Sequence, residues 1–244
     1  MTDSVKSPPP RPEPASIRVG GKDIPVWPAN QRIDFVDRYV QMTVFEDWPD
    51  YHGALIARAL ELEAIKWGDD RPDSRTLGGR KVHHLDQWDC PAADLINARA
   101  AHLFRLIVND QRAHMDLSWA NVYRQWDYVI PHSHRMSVAS LTYFLDPGEE
   151  DLVDPRSGRL AFADPRLDIC CGEQPGYVTT QCYVEPIPGT MLIWPSPFVH
   201  FVTPYAGISR PRITLAWNFS RFRGEQWPEG ESYPAVPPTP TSRA

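Results

Sequence analysis

From residue 53 to 66 the segment GALIARALELEAIK places apolar side chains three and four residues apart, and PAADLINARAAHLFRLIVND does the same over 91–110 behind a Pro-Ala-Ala-Asp start. That spacing gathers the apolar positions on one helical face, so two amphipathic helices are predicted. Beyond residue 115 the pattern changes. LSWANVYRQW, VASLTYFL, GRLAFAD, TMLIWP, HFVTPY and RITLAWNF are rich in β-branched and aromatic residues and are divided by Pro, Gly and Asp clusters, which predicts a run of strands. Helices first and strands afterwards give an α+β, mainly β chain: an antiparallel sandwich or barrel supported by helices on one side. Prolines at the strand ends agree, because proline cannot donate to an interior ladder.

Residues 1 to about 16 hold five prolines and few apolar residues, and 233–244 (YPAVPPTPTSRA) repeat that composition, so both ends are expected to be loose tails. Between them, over 17–232, neither an internal repeat nor a Gly/Ser linker separates two folding units. A single domain is expected, with helical support over about 30–115 and the strands over about 116–223. The 26 prolines among 244 residues exceed ordinary usage, while 42% hydrophobic and 23% charged residues are globular proportions that exclude collagen, coiled coil and wholesale disorder. A net charge of −6 provides no basic field for nucleic acid or an anionic membrane. No apolar run reaches bilayer length, and the start MTDSVKSPPPRPEP lacks the order of a signal peptide, so a cytoplasmic protein is expected. Cys90, Cys170, Cys171 and Cys182 are too few and too irregular for a disulfide framework or a paired zinc site. They read as buried or incidental thiols, the adjacent Cys170 and Cys171 pairing only with strain.

Candidate chemistry centres on histidine. His52, His83 and His84 read as surface or loop residues, and His102 and His114, on or near the second helix, as structural ones. In Pro131-His132-Ser133-His134 the two histidines are two apart, so in an extended segment both imidazoles point to one face and can converge on a metal. Sixty-six residues beyond His134, His200 lies between TMLIWPSPFV and FVTPY and belongs to a separate strand. A close pair plus a distant third is the economy of a mononuclear metal site with open positions. Twelve residues further on, RITLAWNF alternates: Ile213, Leu215, Trp217 and Phe219 form a packing face, while Arg212, Thr214, Ala216 and Asn218 form a small or polar one. A guanidinium there can hold a carboxylate through two parallel N–H bonds, whereas an arginine at a strand end otherwise pairs with a surface acid. Trp194, Phe198, Phe201 and Tyr143 are candidate cavity walls whose default place is the core.

The pieces SWANVYRQWDYVIPHSHRMSVASLTYFL, SGRLAFADPR and PGTMLIWPSPFVHFVTPYAGISRPRITLAWNF, about residues 118–219, resemble the bacterial 2-oxoglutarate/Fe(II)-dependent oxygenases of the prolyl-hydroxylase-like branch. The resemblance implies a double-stranded β-helix, a jelly-roll-like barrel supported by N-terminal helices, with Fe(II) at its open mouth. It implies an enzyme that couples oxidative decarboxylation of 2-oxoglutarate to hydroxylation of a C–H bond. Position by position, it places His132 and His200 on histidine ligands and Arg212 on the residue that holds the far carboxylate of 2-oxoglutarate, with Arg210 as a nearby rival. Tyr123 falls near a co-substrate contact, and Asn121 shares its face. The implied partners are 2-oxoglutarate, O2 and a substrate, small molecule or protein side chain, with no nucleic acid and no membrane; a homodimer is compatible with the sequence.

One position departs from the wider pattern. Where the superfamily has Asp or Glu, residue 134 is histidine, and a third neutral imidazole leaves a bound dication more positive than a carboxylate would. Three histidine ligands are expected, Asp127 being the nearest spare acid. Two alternatives stay open: a three-histidine dioxygenase that needs no 2-oxoglutarate, and a non-catalytic jelly-roll module that binds a metal or ligand.

Overall fold

The alternation in RITLAWNF is realised on both faces of one long strand, Arg212–Ser220, every residue of which is buried. In the computed structural model, which describes residues 14–35, 39–67, 79–134, 136–163 and 181–225, the strands are β1 (Ser16–Val19), β2 (Lys22–Pro25), β3 (Asp34–Phe35), β4 (Gln41–Val44), β5 (Arg80–His83), β6 (His114–Tyr123), β7 (Val129–His132), β8 (Ala139–Asp146), β9 (Leu160–Ala163), β10 (Gln181–Val184), β11 (Thr190–Pro195), β12 (His200–Val202) and β13 (Arg212–Ser220). The helices are α1 (His52–Trp67) and α2 (Pro91–Val108). A seven-stranded sheet, in the order β3-β4-β11-β8-β13-β6-β5, faces a four-stranded sheet, β10-β9-β12-β7, and β1 and β2 form a separate hairpin. All pairings are antiparallel. Two such sheets folded over one interior make the double-stranded β-helix.

The larger sheet has two different faces because its strands alternate. Outward, Ala120, Val122, Leu141, Tyr143, Met191, Ile193, Ile213, Leu215, Trp217 and Phe219 pack in one core with helix residues such as Leu55, Leu95, Ile96, Leu103 and Phe104. Inward, Tyr123, Phe144, Leu192 and Trp194 meet Leu160, Phe162 and Val202 of the smaller sheet in a second core. The helices therefore back the sheet and leave the inner face to the site.

Helix α2 begins with proline at its first position, where the missing N–H costs nothing, and ends at Asn109 in a left-handed conformation whose N–H returns to the Arg105 carbonyl. Its buried stripe includes Arg99, whose charge is matched by both carboxylate oxygens of Asp47 at 2.9 and 2.6 Å. In α1, the buried Glu63 accepts two bonds from Arg124, at 3.0 and 2.7 Å, and one from Arg80 at 3.2 Å. That carboxylate fastens α1 to the start of β5 and to the turn after β6.

The N-terminal half departs from a purely helical support. β4 pairs with β11 and β5 with β6, so this half also extends the larger sheet at both edges. QMTV and RKVH are four residues each, too short for a period to stand out; only the neighbouring strands stabilise them. His52, read from the sequence as a surface or loop residue, is buried, with Nε2 2.6 Å from the Tyr143 hydroxyl and its ring against Trp48. The expected tails lie largely outside the described residues, as does the Cys170–Cys171 pair; the Ala15 carbonyl already accepts the Val26 N–H, and Ser16 pairs with Pro25. Cys90 is buried.

Candidate metal centre and co-substrate pocket

β7 and β12 lie side by side in the smaller sheet with His132 opposite His200, and their ring centroids are 4.3 Å apart. Nδ1 of His132 is 2.8 Å from the Ile130 carbonyl, and Nδ1 of His200 is 3.0 Å from the Phe198 carbonyl. A carbonyl can only accept, so each Nδ1 carries the proton and each Nε2 presents a lone pair, the arrangement by which metal-binding histidines are oriented.

His134 arrives differently from the expected extended pair. β7 stops at His132, and the His134 N–H donates to the Ser196 carbonyl at 2.8 Å, just past the end of β11. Ser140 Oγ donates to Asn218 Oδ1 at 2.9 Å, which leaves the Ser196 hydroxyl, also 2.9 Å away, to donate to Ser140. Three strands thus fix the segment that fixes His134. Its ring centroid is 4.9 Å from that of His132 and 5.2 Å from that of His200, and one nitrogen from each of the three rings lies within 4.8 Å of the others.

Burial sets the charge of this cluster. Desolvation pulls the pKa of His200 down to about 3 and that of His134 to about 4, each reinforced by the neighbouring His132, and it lowers His132 as well. Three neutral imidazoles are what a metal requires of its nitrogen ligands. Asp127 does not join them; its carboxylate accepts the Arg124 backbone N–H at 2.8 Å in a turn.

The same cavity is lined on the opposite sheet by the inward positions of β6, β8 and β13. Arg212 is 1% exposed, yet its Nε and Nη1 have no hydrogen-bond partner. Its guanidinium lies 4.8 Å from the Tyr123 ring, and desolvation lowers its pKa. A buried cation with orphaned donors is costly until an anion arrives, so the residues fit a carboxylate-bearing co-substrate beside a metal. Asn121 and Tyr123 share this lining; Asn121 Nδ2 donates to Thr214 Oγ1 at 3.3 Å. Arg210 lies elsewhere, with Nε 3.4 Å from Asp146 and a bond from its guanidinium to the Gly148 carbonyl. Of the aromatic candidates, Trp194 lines the cavity, Phe198 packs in the inner core and Tyr143 in the helix-side core, while Phe201 meets Tyr183.

Sequence reasoning passed over Lys81 and Trp119, which also line the cavity. Trp119 was readable, being two and four residues before Asn121 and Tyr123 on the same face. Lys81 was not, since β5 has no signature of its own.

A double-stranded β-helix thus gathers three imidazoles at one end of its interior and, in the same cavity, a guanidinium with two unpartnered nitrogens. Residues 117–218, 102 of the 244, match the family described as "Putative 2OG-Fe(II) oxygenase", and over that stretch the chain resembles oxygenases that use Fe(II) and 2-oxoglutarate. Among curated proteins none matches the sequence. Solved structures share the fold. AviO1 from Streptomyces viridochromogenes Tue57 is 19% identical, with 81% of this chain and 94% of that one covered and a TM-score of 0.52. The non-heme alpha ketoglutarate dependent epimerase SnoN from nogalamycin biosynthesis is 13% identical over 83% and 87%, with a TM-score of 0.54. A Trichoplax adhaerens prolyl hydroxylase, solved with a hypoxia inducible factor peptide, is 15% identical over 72% and 83%, with a TM-score of 0.50.

Proposed function

We propose that His132, His134 and His200 are the Fe(II) ligands and that Arg212, rather than Arg210, receives the far carboxylate of 2-oxoglutarate, with Tyr123 and Asn121 beside it. When bound, Fe(II) and 2-oxoglutarate supply an oxidation in which O2 is consumed, the co-substrate is lost as succinate and CO2, and a C–H bond of the substrate becomes C–OH. The protein contributes position and environment. The Ile130 and Phe198 carbonyls hold the His132 and His200 rings by their Nδ1 protons, and the Ser196 carbonyl holds the His134 backbone. Leu160, Trp194 and Val202 wall the cavity and keep water from the polar groups. Arg212 fixes one end of the co-substrate so that the other end faces the imidazoles.

The observation that carries this reading is the presence, in one cavity, of three neutral imidazoles and an arginine with two unpartnered guanidinium nitrogens. The test is O2-dependent succinate formation from 2-oxoglutarate by Fe(II)-loaded protein, abolished in His132→Ala. His134 in place of a carboxylate favours one second reading, a three-histidine dioxygenase in which Arg212 grips the substrate's own carboxylate; O2 uptake without any 2-oxoglutarate requirement would select it. The proposal takes the protein as cytoplasmic, where a reducing compartment maintains Fe(II), and as having no nucleic-acid or membrane partner. No helix among the described residues is long and apolar enough to cross a membrane. Self-association as a homodimer is decided by sedimentation.

A further inference from the structure

Besides Arg212 the cavity contains a second basic side chain, Lys81, and no carboxylate among the described residues that line it. Lys81 sits on β5, the edge strand of the larger sheet, opposite Asn121 of β6, which is itself opposite Thr214 of β13. Cross-strand partners share a face, so the three form one row across the sheet toward the site. The Lys81 ammonium stands 5.4 Å from the Trp119 ring centroid, and that ring is 6.0 Å from the His134 ring. Trp119 is locked in place by its indole N–H, which donates to Asn121 Oδ1 at 3.0 Å. β6 separates β5 from β13, which sets the strands of Lys81 and Arg212 roughly 10 Å apart. The two cations therefore rise from strands on either side of β6, and the Lys81 side borders the histidines through an aromatic wall.

Formal charge shows what that side lacks. Fe(II), Arg212 and Lys81 together would bring four positive charges into a cavity whose imidazoles are neutral, and 2-oxoglutarate returns only two negative ones. A carboxylate ligand would remove one more, but residue 134 is histidine. The residual positive field acts between low-dielectric walls, where it selects anions strongly.

We infer that Lys81, against the Trp119 wall, forms the subsite for an anionic group of the primary substrate, which is therefore an organic anion carrying a carboxylate or a phosphate monoester. The inference rests on the oxygenase reading of the cavity and adds the substrate class to it.

The test uses full-length protein loaded with Mn(II) and saturating 2-oxoglutarate, and compounds in pairs that differ in charge: carboxylates with their amides, and phosphate monoesters with their alcohols. Calorimetry is expected to find binders among the anions and none among the neutral counterparts, the two anion series distinguishing carboxylate from phosphate. In Lys81→Gln those anions are expected to bind about tenfold or more weakly, as for one lost charge-assisted hydrogen bond, while Lys81→Arg retains them. Mn(II) and 2-oxoglutarate affinities are expected to change by less than about threefold in both variants. Anions that bind no better than their neutral partners, or equally well to Lys81→Gln, would overturn the inference. A loss of 2-oxoglutarate binding in Lys81→Gln of about tenfold or more would also overturn it, by moving the ammonium onto the co-substrate. Wild-type protein that fails to bind Mn(II) and 2-oxoglutarate marks failure of the oxygenase reading itself.

Discussion

His132 and His200 face each other directly across β7 and β12, each holding its Nδ1 proton against a backbone carbonyl two residues earlier in its own chain segment. Pairing of the strands, rather than proximity in sequence, brings their rings together as the proposed ligand set requires. His132→Ala or His200→Ala is therefore expected to weaken Fe(II) or Co(II) binding by more than about a hundredfold, since even partners that merely orient a ligand are worth roughly 10–100-fold. Calorimetry under anaerobic conditions measures it, and circular dichroism checks that the β-fold persists.

His134 and Asp127 are the two side chains the sequence offers for a third ligand, and their surroundings separate them. Asp127 is committed to the Arg124 N–H, so Asp127→Asn is expected to leave metal affinity within about twofold and to cost about 1 kcal/mol of stability. His134→Ala is expected to lower metal affinity by at least about tenfold, and His134→Asp to restore it. Equal metal affinity in wild type and His134→Ala would exclude His134 as a ligand.

Arg212 gives a prediction with opposite signs in two states. Without co-substrate its buried charge meets the Tyr123 ring but no carboxylate among the described cavity-lining residues, so Arg212→Met is expected to raise unfolding stability by about 1–4 kcal/mol. Saturating 2-oxoglutarate, at about 100 times its dissociation constant, is expected to stabilise the metal-loaded wild type by about 2.7 kcal/mol and the variant far less. Urea titrations with and without co-substrate read both. Arg210→Ala, outside the cavity, leaves 2-oxoglutarate affinity unchanged.

His52 links stability to acid. Desolvation lowers its pKa from the ordinary 6.5 to about 4, so the folded state holds it neutral where the unfolded chain already binds a proton. Its contribution is complete above pH 6.5 and is lost progressively as pH falls toward 4, with a slope of at most about 1.4 kcal/mol per pH unit. In His52→Phe that part of the slope is expected to vanish, as denaturant midpoints at stepped pH would record.

The local features of the fold were legible in the chain. Three-and-four spacing marked α1 and α2, and the alternation from Arg212 to Phe219 assigned the helix-packing and cavity faces of β13 before any neighbour was known. Those signals are local because a helix turn or a pleat repeats within a few residues. β4, β5 and the burial of His52 were not legible, because each depends on a surface supplied by a distant segment.

By itself the sequence determined the class of elements, the inventory of imidazoles and guanidinium, and the family resemblance of its second half. Which groups meet was decided by tertiary structure. Strand register places His200 against His132, the Ser196 carbonyl brings in His134, and closure of the sheets strips Arg212 of water without giving its Nε and Nη1 a partner. Desolvation and cross-strand contact are properties of the assembled surfaces, so no single segment encodes them.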